Sequence, residues 1–423
     1  MAQLTDDCFA FSGPLMRIDA MEQLIAERIH PIAERETVPL RDALGRVLAS
    51  DVVAPISVPP FDNSAVDGFA VRAEDVASQG ETQLTVVERV TAGMSPSRPL
   101  GRGEATRIFT GAPVPPGADT VFMQEDTRVE GARVIVPAGL KRGANFRLAG
   151  EDVRAGTVVL PAGRRLAAQH VALSAAVGLT SLDVRRRVRV ALLSTGDEIV
   201  EPGNALRPAA LYDSNRYLLA SLLSALGAEV TDLGIVSDAS DHLAHAIATA
   251  AANSDLILTS GGVSTGEADH VRDAVETIGS LVFWRVGIKP GRPVAMGVLP
   301  SRSQENAAAF VGLPGNPVAV FVTFVRVVRP LLLRLAGALP EPLVAMPART
   351  TFRYKKKKDR REYLRVTARN VGDRIELEKY PYEGAGLLAS LTETTGLAEI
   401  AEDVTTIEPG DTIGYLPYAV LTG

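Results

Sequence analysis

Cysteine is almost absent from this sequence, since Cys8 is the only one among 423 residues. A single cysteine excludes an intramolecular disulfide and a zinc site built from cysteines, and it favours a reducing compartment, here the cytoplasm. An excess of basic residues is also lacking, because 44 Lys and Arg stand against 50 Asp and Glu, for a net charge of −6. Proteins that bind the nucleic-acid backbone concentrate positive charge, so we expect no nucleic acid as a partner.

No continuous apolar run has the length of a membrane span. The longest apolar stretch, residues 318–335, is broken by three arginines and a proline, and it predicts a buried helix. Near the N-terminus, Asp6 and Asp7 stand where a signal peptide carries positive charge. We therefore expect neither export nor membrane insertion.

The region 185–335 alternates between apolar strand patterns and helical patterns. Strands are predicted at 188–193, 229–236, 255–259, 281–288, 293–298 and 307–311, and helices at 213–226, 241–252, 269–278 and from Pro317 onward. Such alternation predicts a mainly parallel sheet covered by helices on both faces, which is a three-layer α/β architecture.

The regions on either side have different residue patterns. From 52 to about 150, short β-branched runs between Pro and Gly clusters predict a mostly β insertion, and 150–184 is expected to return to the region that this insertion interrupts. The helix after Leu15 is predicted to begin with a capping box formed by Asp19 and Glu22. From 340 onward, period-two segments predict a small β-barrel or sandwich.

Three predicted strands run directly into loops of glycines, hydroxyls and carboxylates, at 190–198, 259–269 and 312–317. Open α/β sheets bind ligands outside the carboxyl ends of their strands, so these loops are expected to form one crevice. The glycines at 261–266 could bring the backbone against a phosphate or simply form a tight turn. Likewise, 315–317 could bind an anion at a helix N-terminus or be only a well-capped helix start.

Four carboxylates are expected at this edge of the sheet: Asp197, Glu198, Asp238 and Asp269. Carboxylates beside phosphate-binding loops typically hold Mg²⁺, although each acid alone could be a solvated loop residue. Lys289 and Arg292 add positive charge that could offset the charge of a phosphate or an oxyanion.

Polar stretches also occur outside the predicted sheet. The acids, amide and serine of 59–69 are costly to leave unpaired in an apolar setting, so they are either hydrogen-bonded turn residues or a site. A second polar turn of this type lies at 108–113. The basic run Lys355–Lys358, followed by Arg360, is typical of a solvated hairpin but could form an electropositive rim.

Motifs along nearly the whole chain resemble those of the molybdopterin molybdenumtransferase family, the group that includes the C-terminal domain of gephyrin. In order they are PPFDNSAVDGFA (59–70), TGAPVP (110–115), GED (150–152), STGDE (194–198), YDSN (212–215), SGGVSTGEAD (260–269), IKPGRP (288–293) and LPGNP (313–317). The resemblance implies a Mg²⁺-dependent homodimer, with active sites shared between its chains, that converts adenylylated molybdopterin and molybdate into molybdenum cofactor and AMP.

The resemblance also implies four domains. They are a molybdopterin-binding α/β domain at 1–27 and 185–335, a discontinuous α+β linking domain at 28–53 and 151–184, a mostly β insertion domain at 54–150 and a C-terminal β-barrel domain at 336–423.

Family roles carry over onto residues of matching type. Catalytic roles are implied for Asp62, Thr110, Asp152, Glu198, Asp238, Asp269 and Lys289, of which Glu198, Asp238 and Asp269 would bind the metal. Substrate contacts are expected from Ser194, Thr195, Gly196, Asp197, Gly261, Gly262, Ser264, Arg285, Arg292, Pro314, Gly315, Asn316, Pro317, Arg360 and Ser390. Two positions depart from the common pattern: Arg285 replaces a frequent lysine, and Ala385 replaces a frequent serine between Gly384 and Gly386.

Two rival functions stay open at this point. A molybdopterin adenylyltransferase resembles 185–335 alone, but its usual Gly-Gly-Thr-Gly is replaced by Gly-Gly-Val-Ser at 261–264. A non-catalytic scaffold, which gephyrin also is, would not need intact site acids. The sequence does not distinguish molybdate from tungstate, and it leaves open whether the adenylyltransferase is a partner that delivers the pterin.

Overall fold

A computed structural model describes residues 15–237, 240–262, 270–300 and 307–422. Within these ranges the chain contains a six-stranded α/β sheet, a six-stranded β-sheet and a barrel, joined by small two-stranded pairings. The predicted multidomain α/β and β fold is thereby confirmed, whereas the domain boundaries given above stay a prediction.

The α/β sheet is mainly parallel, as predicted. Its strand order is Glu229–Val236, Arg189–Thr195, Leu256–Ser260, Ala308–Leu313, Pro293–Leu299 and Ser280–Arg285. The first four strands are parallel, and Pro293–Leu299 is antiparallel to both of its neighbours. Parallel neighbours need a crossover of roughly a dozen residues or more, and the connection 286–292 is shorter, so this end of the sheet is a hairpin.

Helices cover both faces of this sheet, because alternate residues of a strand point to opposite faces. In the strand Arg189–Thr195, Val190 and Leu192 belong to one buried cluster, and Ala191 and Leu193 belong to another. The first cluster takes residues from Ile18–Arg28, Asn215–Ala225 and the helical segment 317–335, and the second from Ser240–Ala251 and His270–Ile278. The three-layer prediction is confirmed.

The long apolar segment is a buried helix, as predicted. It consists of an α-helix at Pro317–Thr323, a π-helical turn at Phe324–Val328 and an α-helix at Arg329–Leu335. One of the arginines that interrupt the apolar run, Arg326, donates from Nε to the Tyr363 hydroxyl at 2.6 Å. No helix in the described ranges is long and apolar enough to cross a membrane.

The insertion is mostly β, as predicted. Its sheet has the order Thr120–Met123, Gly68–Val71, Glu104–Ile108, Glu81–Val90, Arg133–Pro137 and Arg128–Glu130. Segments on either side of the insertion pair with each other: Arg35–Pro39 with Ser181–Arg185, and Val52–Val53 with Val158–Leu160, next to the helix Ala168–Ala176.

The C-terminal sheet closes into a barrel, as predicted. Around the barrel the order is Arg361–Val371, Arg374–Lys379, Met346–Thr350, Thr412–Pro417 and Gly396–Ile400, and the last strand pairs with the first. The short strand Ile288–Lys289 from the α/β region adds to this sheet, parallel to Arg361–Val371.

The remaining elements are short. The strand pairs are Asn63–Ser64 with Phe146–Arg147, Ile199–Val200 with Leu211–Tyr212, and Tyr354–Lys355 with Thr406–Ile407; the helices are Ala389–Glu393 and Tyr418–Leu421, with 3₁₀ turns at Leu40–Asp42, Ala73–Asp75 and Gln124–Asp126.

The predicted capping box at Asp19 is wrong. The helix Ile18–Arg28 begins two residues earlier than this cap would place it, with Arg17 at the N-cap position and no side-chain cap. Ile18 and Met21 are fully buried, so the helix start that places both in the core is favoured over the one that uses Asp19 as a cap.

We expect Leu258→Ala to lower the free energy of unfolding by about 2–5 kcal/mol, because Leu258 is fully buried in a central strand. The measurement is urea denaturation followed by the fluorescence of the single tryptophan, Trp284, which lies in the strand Ser280–Arg285 of the same sheet. The control is Leu233→Ala, at a 37% exposed position of the edge strand, which should cost less than about 1 kcal/mol. Equal losses in the two variants would contradict this account of the core.

Candidate active site

The carboxyl end of the strand Arg189–Thr195 carries the first candidate residues. Ser194 and Thr195 are each 2% exposed, and the Ser194 hydroxyl is buried with no hydrogen-bond partner in the described part of the chain. Gly196 follows with φ +144°, and a Cβ there would lie 2.8 Å from the Glu198 carboxylate. The Glu198 carboxylate therefore folds back over Gly196, while the Asp197 and Glu198 side chains stay exposed.

The second strand end closes tightly against the first. Gly261 and Gly262 have φ +93° and +67°, in the left-handed region that favours glycine. A Cβ on Gly261 would lie 2.5 Å from the Thr195 carbonyl oxygen, and one on Gly262 would lie 2.3 Å from a methyl group of Val271. Both positions thus need glycine for their backbone angles and for lack of space.

Asn215 joins this strand end to the third candidate loop. Its Nδ2 donates to the Ser260 hydroxyl at 2.9 Å and to the Gly315 carbonyl at 2.7 Å, and its buried Oδ1 has no partner among the described residues. Asn215 ends the motif YDSN but is not among the site residues that the family resemblance implies. The available signal was its position at the first turn of a helix that follows a strand of the crevice.

The third loop, Pro314 to Pro317, leads into a helix whose N-cap position is Asn316. The side chain of Asn316 makes no capping hydrogen bond. Instead, the Val318 N–H donates to the carbonyl oxygen of Ala385, from the barrel region, at 2.9 Å. One of the amides that the anion interpretation requires is therefore already bonded, although Gly315 and Asn316 are exposed.

The predicted cationic residues lie on the segment that leads to the barrel. Lys289 Nζ donates to the Tyr354 hydroxyl at 3.1 Å and to Glu362 Oε2 at 3.3 Å, and its side chain is 45% exposed. The Arg292 side chain is exposed, and the backbone of Arg285 pairs with Pro293.

The loop that carries these cations packs against the long helix. Gly291 has φ +105°, and a Cβ there would lie 2.3 Å from the Thr323 hydroxyl oxygen. Lys289 and Arg292 therefore flank a glycine that fixes the loop against the helix Pro317–Thr323.

The barrel holds two predicted substrate contacts in different surroundings. Arg360 Nε donates to Glu362 Oε1 at 2.6 Å, so Arg360 lies next to Lys289 across a shared carboxylate. Ser390 is fully buried, and its hydroxyl accepts from Arg365 Nε at 3.0 Å. The substrate contact of Ser390 stays a prediction, which this burial does not support.

The candidate residues Asp62 and Thr110 of the insertion and Asp152, just after it, lie on one polar surface. Asp62 Oδ1 accepts the Ala149 N–H at 2.8 Å, and the Asp152 N–H donates to the Val58 carbonyl at 3.1 Å. Asp62, Thr110 and Asp152 all have exposed side chains. The loops 59–70, 110–115 and 150–152 are therefore neighbours, with Asn63 and Ser64 buried and hydrogen-bonded to the backbone beneath the exposed side chains.

Asp67 was not selected from the sequence, yet it organises this surface. Its Oδ1 accepts both the backbone N–H and the hydroxyl of Thr110, each at 2.8 Å. The hydrogen bond from the Thr110 backbone, followed by the one from its hydroxyl, holds the pKa of Asp67 below its usual range. Asp67 is thus an ionised acceptor that fixes the orientation of Thr110.

The predicted metal site is described only in part. Asp238, Ser264 and Asp269 lie outside the described residues. Within the described ranges, no group of three or more His, Cys, Asp or Glu side chains is arranged to hold a metal ion. Glu198 offers an exposed carboxylate beside the glycine loop, and carboxylate oxygens are the ligands that Mg²⁺ prefers.

Three family models together match most of the chain. Residues 16–178 match "MoeA N-terminal region (domain I and II)", residues 191–334 match "Probable molybdopterin binding domain", and residues 347–418 match "MoeA C-terminal region (domain IV)". The matches on both sides of the α/β region disfavour the adenylyltransferase alternative, which resembles that region alone.

Similar proteins and structures agree with these matches. The molybdopterin molybdenumtransferase of Haemophilus influenzae is 35% identical over 97% of this chain and 100% of its own length, and the one from Nostoc sp. is 43% identical over 72% of this chain and 70% of its own length. The crystal structure of the molybdopterin biosynthesis MoeA protein from Pyrococcus horikoshii OT3 superposes with a TM-score of 0.81 at 29% identity, and covers 96% of this chain and 100% of that one. The chain therefore belongs to the molybdopterin molybdenumtransferase family.

Proposed function

We propose that this protein inserts molybdenum from molybdate into adenylylated molybdopterin, giving molybdenum cofactor and AMP, in the cytoplasm. The observation that carries the proposal is the convergence of three loops at one sheet edge, in a chain that is similar to molybdopterin molybdenumtransferases over nearly its whole length. The four-domain division predicted from the sequence is part of the same proposal.

The sheet edge suits a substrate that carries a pyrophosphate. Gly196, Gly261 and Gly262 let the loops at the strand ends pack closely together, because a Cβ at each of them would meet neighbouring protein atoms. The buried hydroxyl of Ser194 and amide oxygen of Asn215 lack partners in the described structure, and unsatisfied buried polar groups are costly unless a ligand or water meets them. Bound at Glu198 together with Asp238 and Asp269, Mg²⁺ would offset the negative charge of the pyrophosphate.

Lys289 suits the oxyanion. Molybdate is a tetrahedral dianion, so its approach to a phosphorylated ligand requires positive charge that is already in place. The Lys289 ammonium is half-exposed and is held by two hydrogen bonds, so it meets this requirement with little reorganisation. The protein needs no nucleophile of its own, because its residues bind and orient the two substrates and offset their charge.

We also propose that the active site is shared between the two chains of a homodimer, and that the adenylyltransferase is a partner that delivers the pterin. The polar surface formed by Asp62, Thr110 and Asp152 lies on the insertion and on the linking segment directly after it, whereas the glycine loops lie on the α/β sheet. A second copy could bring its insertion against the sheet edge of the first, which would complete the set of predicted catalytic residues.

The central experiment measures AMP release from adenylylated molybdopterin with molybdate or with tungstate, in the presence and absence of Mg²⁺. We expect Glu198→Gln to lower the rate at least about 100-fold, because it removes the charge that would hold the metal. The matched control is Glu229→Gln, since Glu229 is an exposed glutamate at the opposite edge of the same sheet, and this variant should keep the wild-type rate. Wild-type turnover by folded Glu198→Gln protein would remove Glu198 from the site.

Lys289→Ala should raise the molybdate concentration for half-maximal AMP release by about tenfold, and Arg292→Ala should raise it less. The reason is that Lys289 Nζ is fixed by Tyr354 and Glu362, whereas Arg292 is an exposed side chain. Titration of molybdate at saturating pterin measures both effects. An equal change in the two variants would argue that neither cation has a specific place in the oxyanion site.

Mixing Asp62→Ala protein with Glu198→Ala protein, each inactive alone, should restore about a quarter of the wild-type rate. Random exchange makes half of the dimers heterodimers, and each of these holds one intact site and one doubly damaged site. Subunit exchange is followed separately with differently tagged chains. Exchange without any recovery of activity would place the two acids in the same chain's site or outside the site.

A further inference from the structure

Glu362 is a fully buried carboxylate that three donors share. Its Oε1 accepts Arg360 Nε at 2.6 Å, and its Oε2 accepts the Tyr354 hydroxyl at 2.7 Å and Lys289 Nζ at 3.3 Å. A buried carboxylate is tolerated only when charge and hydrogen bonds compensate for its lost hydration. Arg360 and Tyr354 already provide one charged and one neutral donor, so the third donor, Lys289, is an addition to an otherwise satisfied group.

Lys289, Tyr354 and Glu362 form a chain of hydrogen bonds in which each group donates to the next. Lys289 Nζ donates to the Tyr354 hydroxyl at 3.1 Å, and this hydroxyl donates to Glu362 Oε2. Burial, and then the hydrogen bond to Glu362, raises the pKa of Tyr354, so the phenol stays protonated and keeps this direction at neutral pH. An ammonium has three N–H bonds, so two are used here and one is left for a ligand.

The charge of the cluster fits an anionic ligand. Arg360 and Lys289 carry two positive charges around the single negative charge of Glu362, which leaves one positive charge in excess. Glu362 is buried, whereas the Lys289 side chain is 45% exposed, so the excess charge faces solvent at Lys289. The parallel pairing of Ile288–Lys289 with Arg361 and Glu362 fixes the backbone on both sides of this contact.

We propose that Glu362 and Tyr354 are positioning residues for Lys289: the Tyr354 hydroxyl, oriented by Glu362, holds the ammonium where its third N–H meets a tetrahedral oxyanion. This inference rests on the proposed function, in which Lys289 contacts molybdate. Tyr354 and Glu362 belong to the barrel region and Lys289 does not, so two barrel residues would orient a cation of the α/β region.

The test compares two buried tyrosines. Tyr354→Phe removes the hydroxyl that holds Lys289, and should raise the molybdate concentration for half-maximal AMP release about tenfold. The concentration of adenylylated molybdopterin for half-maximal AMP release should change less than about twofold. The control is Tyr363→Phe, because Tyr363 is also buried but its hydroxyl accepts from Arg326, on the opposite side of the strand from Glu362. Loss of stability alone would affect the control equally and would not separate the two substrates.

A double-mutant cycle on the molybdate dependence of AMP release tests whether Tyr354 acts through Lys289. In a Lys289→Met background, Tyr354→Phe should cause no further change in molybdate dependence, whereas additive effects would overturn the inference. A second readout needs no activity: trace acetylation of Lys289, measured by peptide mass spectrometry, should rise severalfold in Tyr354→Phe and in Glu362→Gln but not in Tyr363→Phe.

Different results would overturn the proposed function and the positioning role of Tyr354 and Glu362. Wild-type protein that releases no AMP with either oxyanion would overturn the proposed function. Normal AMP release with unchanged molybdate dependence in Tyr354→Phe, or unchanged acetylation of Lys289 in that variant, would overturn the positioning role.

Discussion

The close approach of two strand ends is the constraint on which the candidate site depends. A Cβ at Gly261 would collide with the Thr195 carbonyl oxygen, so only glycine lets the second strand end settle against the first. With the strand ends in contact, the Ser194 hydroxyl is buried and Asn215 reaches the Gly315 loop. A larger residue at 261 would separate the strand ends, so the loops would lose the arrangement in which they face one ligand.

Charged groups join the barrel to the α/β region. Arg326 is almost fully buried in the long helix, and it pairs with Glu399 at 3.1 Å as well as with the Tyr363 hydroxyl. Such a buried pair adds little net stability once its desolvation is counted, but loss of one partner leaves a costly unpaired charge. Arg326 in the apolar helix is therefore compensated mainly by groups of the barrel, with Glu22 of the first helix as a more distant partner at 3.9 Å.

Local signals in the sequence were sufficient to predict most of the fold. Apolar periodicity identified the central strands, and Gly227 after the helix Asn215–Ala225 adopts the left-handed φ of +83° that ends helices. At Asp19 the local signal failed for an energetic reason. A side-chain cap contributes about 1 kcal/mol, whereas full burial of Ile18 and of Met21 contributes roughly 1.5–3 kcal/mol each.

The site was predicted less completely, because its missed members act over long separations in the chain. Asn215 bonds to Gly315, and Glu362 bonds to Lys289, across 100 and 73 residues respectively. No periodicity or turn signal encodes such contacts. Asp67 lies in the polar stretch 59–69, which the sequence already marks as unusual. Its hydrogen bond to Thr110, however, depends on the contact between two loops that are distant in the chain.

The cap at the Asn316 loop comes from the main chain of a distant loop. Ala385 contributes only its backbone carbonyl oxygen to the Val318 N–H. The replacement of the frequent serine by alanine at position 385 therefore leaves this hydrogen bond unchanged. A single N–H cannot serve two acceptors at full strength. An anion that accepts the Val318 N–H must therefore displace the Ala385 carbonyl oxygen. Binding of an anion at this helix N-terminus would thus also break the hydrogen bond that holds the barrel loop 384–386.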